Sequence, residues 1–212
     1  MPRRPPPDPS PWEGLATEGR HPAADDLDRL PTEDVVALLL EEDRRGLGAV
    51  LARRKEVARA AAWLAETLSG GGSALLAGAG TSGRLGVLEA AECPPTFGTD
   101  PERIRAAMAG GPEAVFRSRE GAEDREDEGR GAAAGMGPGD LLVGLSASSV
   151  TPFTRGALAE ARRRGARTVL LTCAGPEGLE EAADLVIALD TGPEVLTGST
   201  RLKAGSATKA AL

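Results

Sequence analysis

Five short apolar runs constrain this chain more than any other feature: ALLAGA (74–79), IRAAMAG (104–110), LLVGLS (141–146), RTVLLTC (167–173) and LVIALD (185–190). None carries the period of an amphipathic helix, and a connection with a helix or helical turn is expected between each and the next. Strands that read as unbroken apolar runs are buried on both faces, as in a parallel sheet covered by helices. The spacing therefore predicts a doubly wound α/β domain over residues 71–212, built on a mainly five-stranded parallel sheet. Ligands of such sheets bind beyond the carboxyl ends of the strands. The polar clusters here fall at those ends: GTSG after the first run, ASSVTP after the third and TGPEVLTGSTRLK after the fifth.

Residues 17–70 read as an N-terminal helical extension, preceded by a loose, proline-rich tail over 1–16. LPTEDVVALLLEEDRR predicts a helix capped by Thr32, with acids in its first turn and Arg44 and Arg45 in its last. A second helix is expected from about 47 to 68, ended by SGGGS. With 212 residues, 41% of them hydrophobic, the chain supports one core. Its net charge of -7 gives no general attraction to nucleic acid or anionic membrane. No run is long enough to span a bilayer, and the start lacks the apolar region of a signal peptide. A cytoplasmic protein with a small-molecule partner is the expectation. Cys93 and Cys173 lie far apart without His or Cys neighbours at ligand spacing, so neither a zinc site nor a disulfide framework is suggested. The final SATKAAL stops inside a helical pattern without a cap, which reads as a fragment or an incompletely built end.

GAGTSG (78–83) fits the dinucleotide pattern G-x-G-x-x-G between a strand and a helix. That fold next needs a hydrophobic strand ending in an acid about 20 residues on. Asp100 stands at that distance, but CPPTFGTD before it is no strand. A purely structural tight turn is a second reading. The third is phosphate binding: Gly80 lets main-chain amides approach, and Thr81 and Ser82 add hydroxyls at a helix start. Ser146, Ser148, Ser149 and Thr151, before Pro152, repeat that arrangement at another strand-to-helix junction. Singly each is an ordinary cap. Together they suggest a phosphate monoester held by neutral donors.

GAGTSGRLGVLEAAECPPTFG is similar to the signature of the N-acetylmuramic acid 6-phosphate etherases, within the sugar isomerase (SIS) domain superfamily. The likeness extends to TEGRHPAADDLDRLPTEDVVALLLEED, AGGPEAVFRSREGAED and GPEVLTGSTRLKAGSATK, and so covers nearly the whole chain from Thr17. This resemblance implies cleavage of the lactyl ether of N-acetylmuramic acid 6-phosphate, giving N-acetylglucosamine 6-phosphate and D-lactate in cell-wall sugar recycling. It implies no metal and no organic cofactor, a homodimer, and a helical C-terminal region beyond residue 212. It also implies that Glu92 is the acid assisting lactate departure and then activating water, and that Glu123 is the base at C2. One departure stands beside the expected phosphate pocket. Where the family usually has Ala-Ser-Gly-Arg-Thr-Pro, this chain has Ala147-Ser148-Ser149-Val150-Thr151-Pro152, which bears on affinity rather than on the site's location.

The residues support these roles unevenly. An ether leaves badly as an alkoxide, but an open-chain sugar aldehyde acidifies the C2 proton and makes elimination possible. Two carboxyl groups suffice for that chemistry. Glu92 precedes Cys93-Pro94-Pro95, where a helix is expected to end, and an apolar setting there would favour its protonated form. EGAEDREDEG (120–129) reads by itself as a solvated helix face, with Glu120, Glu123 and Asp127 together; only the resemblance selects Glu123. His21 reads as a surface residue or one reaching a neighbouring subunit. Arg84 suits phosphate or Glu89. Lys203 would approach the sugar or decorate a helix start that Ser199 and Thr200 cap. Trp12 and Trp63 are too far apart to form a stacking platform. Two other readings share the fold: a non-catalytic sugar phosphate sensor, and an aldose-ketose isomerase, which needs the C2 base but no acid at C3.

Overall fold

The computed structural model describes Thr17 and residues 19–212; the tail expected over 1–16 lies outside them. The apolar runs form β1 (Ala74–Gly78), β2 (Ile104–Met108), β3 (Leu141–Leu145), β4 (Arg167–Thr172) and β5 (Leu185–Ala188). They pair entirely in parallel, in the order β2-β1-β3-β4-β5. The chain passes from β1 to β2 on one side and returns to place β3 on the other, so the topological switch lies between β1 and β3.

Alternate residues of each strand feed opposite faces. Leu75, Ala77, Leu142 and Leu170 meet Phe153, Ala157, Leu158 and Ala161 of α6 (Pro152–Arg163) and Ala133 beyond α5 (Glu126–Ala132). Ala74, Leu76, Leu141, Leu145, Val169 and Ile187 face Ala204 and Ala207 of α7 (Lys203–Ala211). Half-buried side chains of α2 (Arg54–Ser69) and α3 (Gly80–Phe97) complete that layer. Between β4 and β5 the connection is made of turns rather than a full helix, with Leu179 and Ala183 buried. Gly178, at φ +73°, breaks the helical path there.

The N-terminal helices differ from expectation at their joint. α1 runs from Thr32 to Ala52, preceded by Pro31 with no side-chain cap. It does not stop after Arg45, because Gly46 packs against α7: a methyl added there would stand 3.0 Å from Lys203 Cγ. Arg44 and Arg45 are therefore mid-helix, where they pair with Glu41 and Glu42 at 2.8 Å. His21 is buried rather than solvated. Its Nδ1 accepts from Ala23 N–H (3.1 Å), opening the short turn Pro22–Ala24. None of the helices described is long and apolar enough to cross a membrane.

Missing side chains let α5 lie directly on α6. A Cβ on Gly129 would come within 1.9 Å of Phe153 O, and one on Gly156 within 2.3 Å of Glu126 O. Gly129→Ala should force the helices apart and cost about 1–3 kcal/mol or more of unfolding free energy, measured as a lowered urea midpoint.

Candidate active site

A cavity of about 450 Å³ opens beyond the carboxyl ends of β1, β2 and β3. Its floor is the start of α3, with Gly80, Thr81 and Ser82. The first N–H groups of a helix have no partner within it, and here the cavity faces them. Gly80 reaches this geometry at φ +54°. The β3–α6 turn adds Ser146, Ser148 and Thr151. Ser146 Oγ and Thr151 Oγ1 lie 2.8 Å apart, which ties the turn closed. These groups make one wall of uncharged donors.

The opposite wall comes from residues 114–123, including Ser118, Arg119, Glu120 and Glu123. Of the six carboxylates in 120–128, Glu123 alone is not exposed. The expected helix over this run begins only at Glu126; Gly121 is at φ +73° and Glu123 sits in a turn. Phe153 N–H, at the start of α6, donates to Glu123 O at 2.9 Å. The α6 N-terminus is thus used to hold the acidic segment against the cavity. Arg84 lines the cavity and does not pair with Glu89. Its Nε and a terminal nitrogen donate to Val115 O (2.9 Å) and Ala114 O (2.7 Å), pinning α4 (Glu113–Phe116) over α3. Arg119 donates to Glu113 at 2.6 Å. Among the described residues no group of His, Cys, Asp and Glu is placed to hold a metal ion.

Four residues expected at the site lie elsewhere. Glu92 is exposed and does not line the cavity; it stands about 18 Å along α3 from Gly80, at the rise of an α-helix. Nor does it end its helix. Prolines have helical φ and cost only the donors to Ala90 and Ala91, and α3 closes at Gly98, whose N–H returns to Pro94 O (2.9 Å). Glu92 and Glu123 of one chain do not converge. Ser149 borders a separate groove with Arg155 and Leu158; its backbone is left-handed, at φ +68°, and its carbonyl accepts from Arg155 Nε (3.2 Å). Lys203 is enclosed behind the cavity, with Nζ donating to Glu42 (2.6 Å) and Pro193 O (2.9 Å). Ser199 is passed over, and Gly198 and Thr200 line the cavity in its place. Neither Ser199 nor Thr200 caps α7: the carboxylate of Glu194 accepts from Lys203 N–H (3.2 Å) and Ala204 N–H (2.9 Å). Burial raises the Glu194 pKa, against the opposing pull of those two amides. Burial would also raise that of Glu42, but the hydrogen bond and charge of Lys203, with the charges of His21 and Arg45, together outweigh it and hold Glu42 below the ordinary glutamate value. Thr200 was legible only as a hydroxyl in the last polar cluster, and nothing in the pattern around Glu194 and Glu42 announced a buried pair.

Residues 56–162 match the family model described as the glucokinase regulatory protein N-terminal SIS domain, and residues 123–211 match the SIS domain model. The chain belongs to the SIS domain family. Solved structures share this SIS fold: phosphoheptose isomerase GmhA from Neisseria gonorrhoeae has a TM-score of 0.57 at 20% identity, covering 81% of this chain and 91% of that one. The Vibrio vulnificus NanR protein complexed with ManNAc-6P has a TM-score of 0.56 at 16% identity, covering 89% and 63%. Sequence relatives of this SIS protein include proteins named N-acetylmuramic acid 6-phosphate etherase. That of Cutibacterium acnes is 47% identical over 92% of this chain and 65% of its own length. That of Streptomyces avermitilis is 48% identical over 94% and 65%. The SIS protein described here thus spans a little under two thirds of those relatives.

Position 149 offers a direct test of the turn beside the cavity. A left-handed backbone suits glycine and penalises β-branched residues, so Ser149→Val should lower stability by about 1–2 kcal/mol. Ser149→Gly should leave the thermal midpoint equal or higher.

Proposed function

We propose that the cavity binds N-acetylmuramic acid 6-phosphate and that the protein cleaves its D-lactyl ether, releasing N-acetylglucosamine 6-phosphate and D-lactate, in the cytoplasm and without a metal or organic cofactor. The observation that carries this reading is one cavity with a wall of neutral donors and, facing it, a single half-buried carboxylate, Glu123. Identity of 47–48% to proteins named as that etherase supports it.

The phosphate is held by the first amides of α3 with Thr81 and Ser82, joined by Ser146, Ser148 and Thr151. This leaves the sugar carbons toward Glu123. In the open-chain aldehyde Glu123 takes the C2 proton, the C2–C3 double bond forms, and the C3–oxygen bond breaks. A carboxylic acid delivers its proton to the departing lactyl oxygen, then as carboxylate takes a proton from water as hydroxide adds at C3. Glu123 returns the proton to C2. Glu92 is the acid in this reading, and a second copy of the chain must present it, since its own chain leaves it exposed on α3. Leu88 and Phe97 of α3 and Val36, Leu40, Leu47 and Leu51 of α1 are also exposed, which supports a homodimer. The net charge of -7 does not favour a nucleic-acid partner.

Glu123→Gln should slow D-lactate release by about 10²–10⁴-fold, the usual worth of a general base, and abolish exchange of the C2 proton with deuterated water. Glu92→Gln should block lactate release yet keep that exchange. Binding of the substrate by the parental protein without lactate release would instead favour a sugar phosphate sensor. Mixing the two inactive variants and allowing subunits to exchange should restore activity at about a quarter of the sites, as statistical pairing in a two-fold dimer requires. No recovery in verified mixed dimers would remove Glu92 from the partner's pocket.

A further inference from the structure

Lys203 is 3% exposed, and its ammonium is met by groups from two parts of the chain, with a third at its backbone. Glu42 Oε2 on α1 accepts at 2.6 Å and Pro193 O at 2.9 Å, while the backbone N–H of Lys203 itself donates to Glu194 Oε2 at 3.2 Å. Glu42 is 3% exposed and Glu194 1%. His21 Nε2 stands 3.4 Å from Glu42 Oε2. His21 Nδ1 accepts from Ala23 N–H, which leaves Nε2 as the ring nitrogen on the Glu42 side. Arg45 holds the other oxygen of Glu42 at 2.8 Å. Every member of this buried set has a partner, and a buried charge deprived of its partner is strongly destabilising.

The set closes the base of a segment. Pro193 and Glu194 enter it and Lys203 leaves it: Pro193 O accepts from the Lys203 ammonium, and the Glu194 carboxylate accepts from the Lys203 backbone N–H. Between them the chain reaches the cavity with Gly198 and Thr200. Leu196, Thr197 and Gly198 are exposed, and the segment lies outside the sheet. Its internal backbone bonds are short turns, Ser199 N–H to Leu196 O (2.9 Å), Thr200 N–H to Gly198 O (3.1 Å) and Leu202 N–H to Ser199 O (3.2 Å). Thr200 therefore keeps its place through the base of the segment and the buried Val195 rather than through sheet pairing.

We propose that Glu42, Lys203 and Glu194 form a clasp that positions Thr200 against the bound ligand, so that α1, which does not line the cavity, sets the affinity of the cavity. The three are positioning residues, and Thr200 is the group that touches the sugar phosphate. This rests on the sugar phosphate reading of the cavity given above.

The test compares Glu42→Gln, Lys203→Met and the double variant with the parental protein. Three quantities are read: the urea midpoint, hydrogen exchange of the 199–202 amides, and the Kd for N-acetylglucosamine 6-phosphate by calorimetry. Each single change strands one buried charge and should lower the midpoint; the double change strands none and should recover much of it. Exchange at 199–202 should nonetheless stay faster in the double variant, and affinity should stay about tenfold weaker, the effect of one lost hydrogen bond to a ligand. Thr200→Val should weaken binding similarly in the parental protein and add nothing in the double variant. Unchanged exchange in the double variant overturns the clasp, as does affinity restored together with stability. Faster exchange alongside a parental protein that does not bind the probe would uphold the clasp and overturn the sugar phosphate reading.

Discussion

The cavity end of the molecule depends on the absence of a side chain at Gly83. A Cβ there would lie 2.5 Å from Gly78 O, and one on Gly78 would lie 2.9 Å from Leu145 O. With both missing, α3 descends onto β1 and β3 until backbone meets backbone, and its first turn drops into the switch point of the sheet. A helix start at that spot brings unpartnered amides and the positive end of a dipole to the mouth of the cavity. Arg84 and Arg119 are nearby, but each is occupied with carbonyls or a glutamate of the facing wall. The hydroxyls and amides at the start of α3 are thus joined at the cavity by two guanidinium groups.

The facing wall is set by another pair of glycines. Gly129 and Gly156 bring α5 onto α6, and the first free amide of α6 goes to Glu123 O. One carboxylate is thereby turned inward from a run of six while the others remain in solvent. Selection by packing explains why a stretch that looks like an ordinary charged surface can present one carboxylate to a cavity. It also separates the two walls: hydroxyls and amides on one side, Glu123 with Ser118 and Arg119 on the other.

The N-terminal extension is joined to this architecture by charge as well as by apolar contact. Buried ion pairs contribute little net stability compared with an apolar packing of the same shape, but they are intolerant of rearrangement. Glu42 and Lys203, on helices 161 residues apart in sequence, admit one register of α1 on α7. Gly46 sharpens that register by letting the helices touch. The same contact explains why α1 continues past Arg45, where local signals favour an end.

The parallel sheet was legible in the sequence because burial on both faces leaves unbroken apolar runs, and all five runs became strands. The helix-starting polar clusters were legible for a similarly local reason: backbone amides need hydroxyl or glycine neighbours wherever a strand turns into a helix. What required the tertiary structure was the direction each polar side chain takes. Lys203 and Thr200 share one cluster, yet the first points into a buried carboxylate and the second into the cavity, since only the fold of the segment between Glu194 and Lys203 separates them. Ser149 lies in the same turn as Ser148 and faces another groove because of a single left-handed residue. Local pattern favoured an apolar setting for Glu92 and a solvated one for Glu123, but the chain leaves Glu92 exposed and half-buries Glu123. Local sequence sets period and capping, which act over a few residues; the convergence of side chains is set by contacts between residues far apart in the chain, which no local pattern encodes.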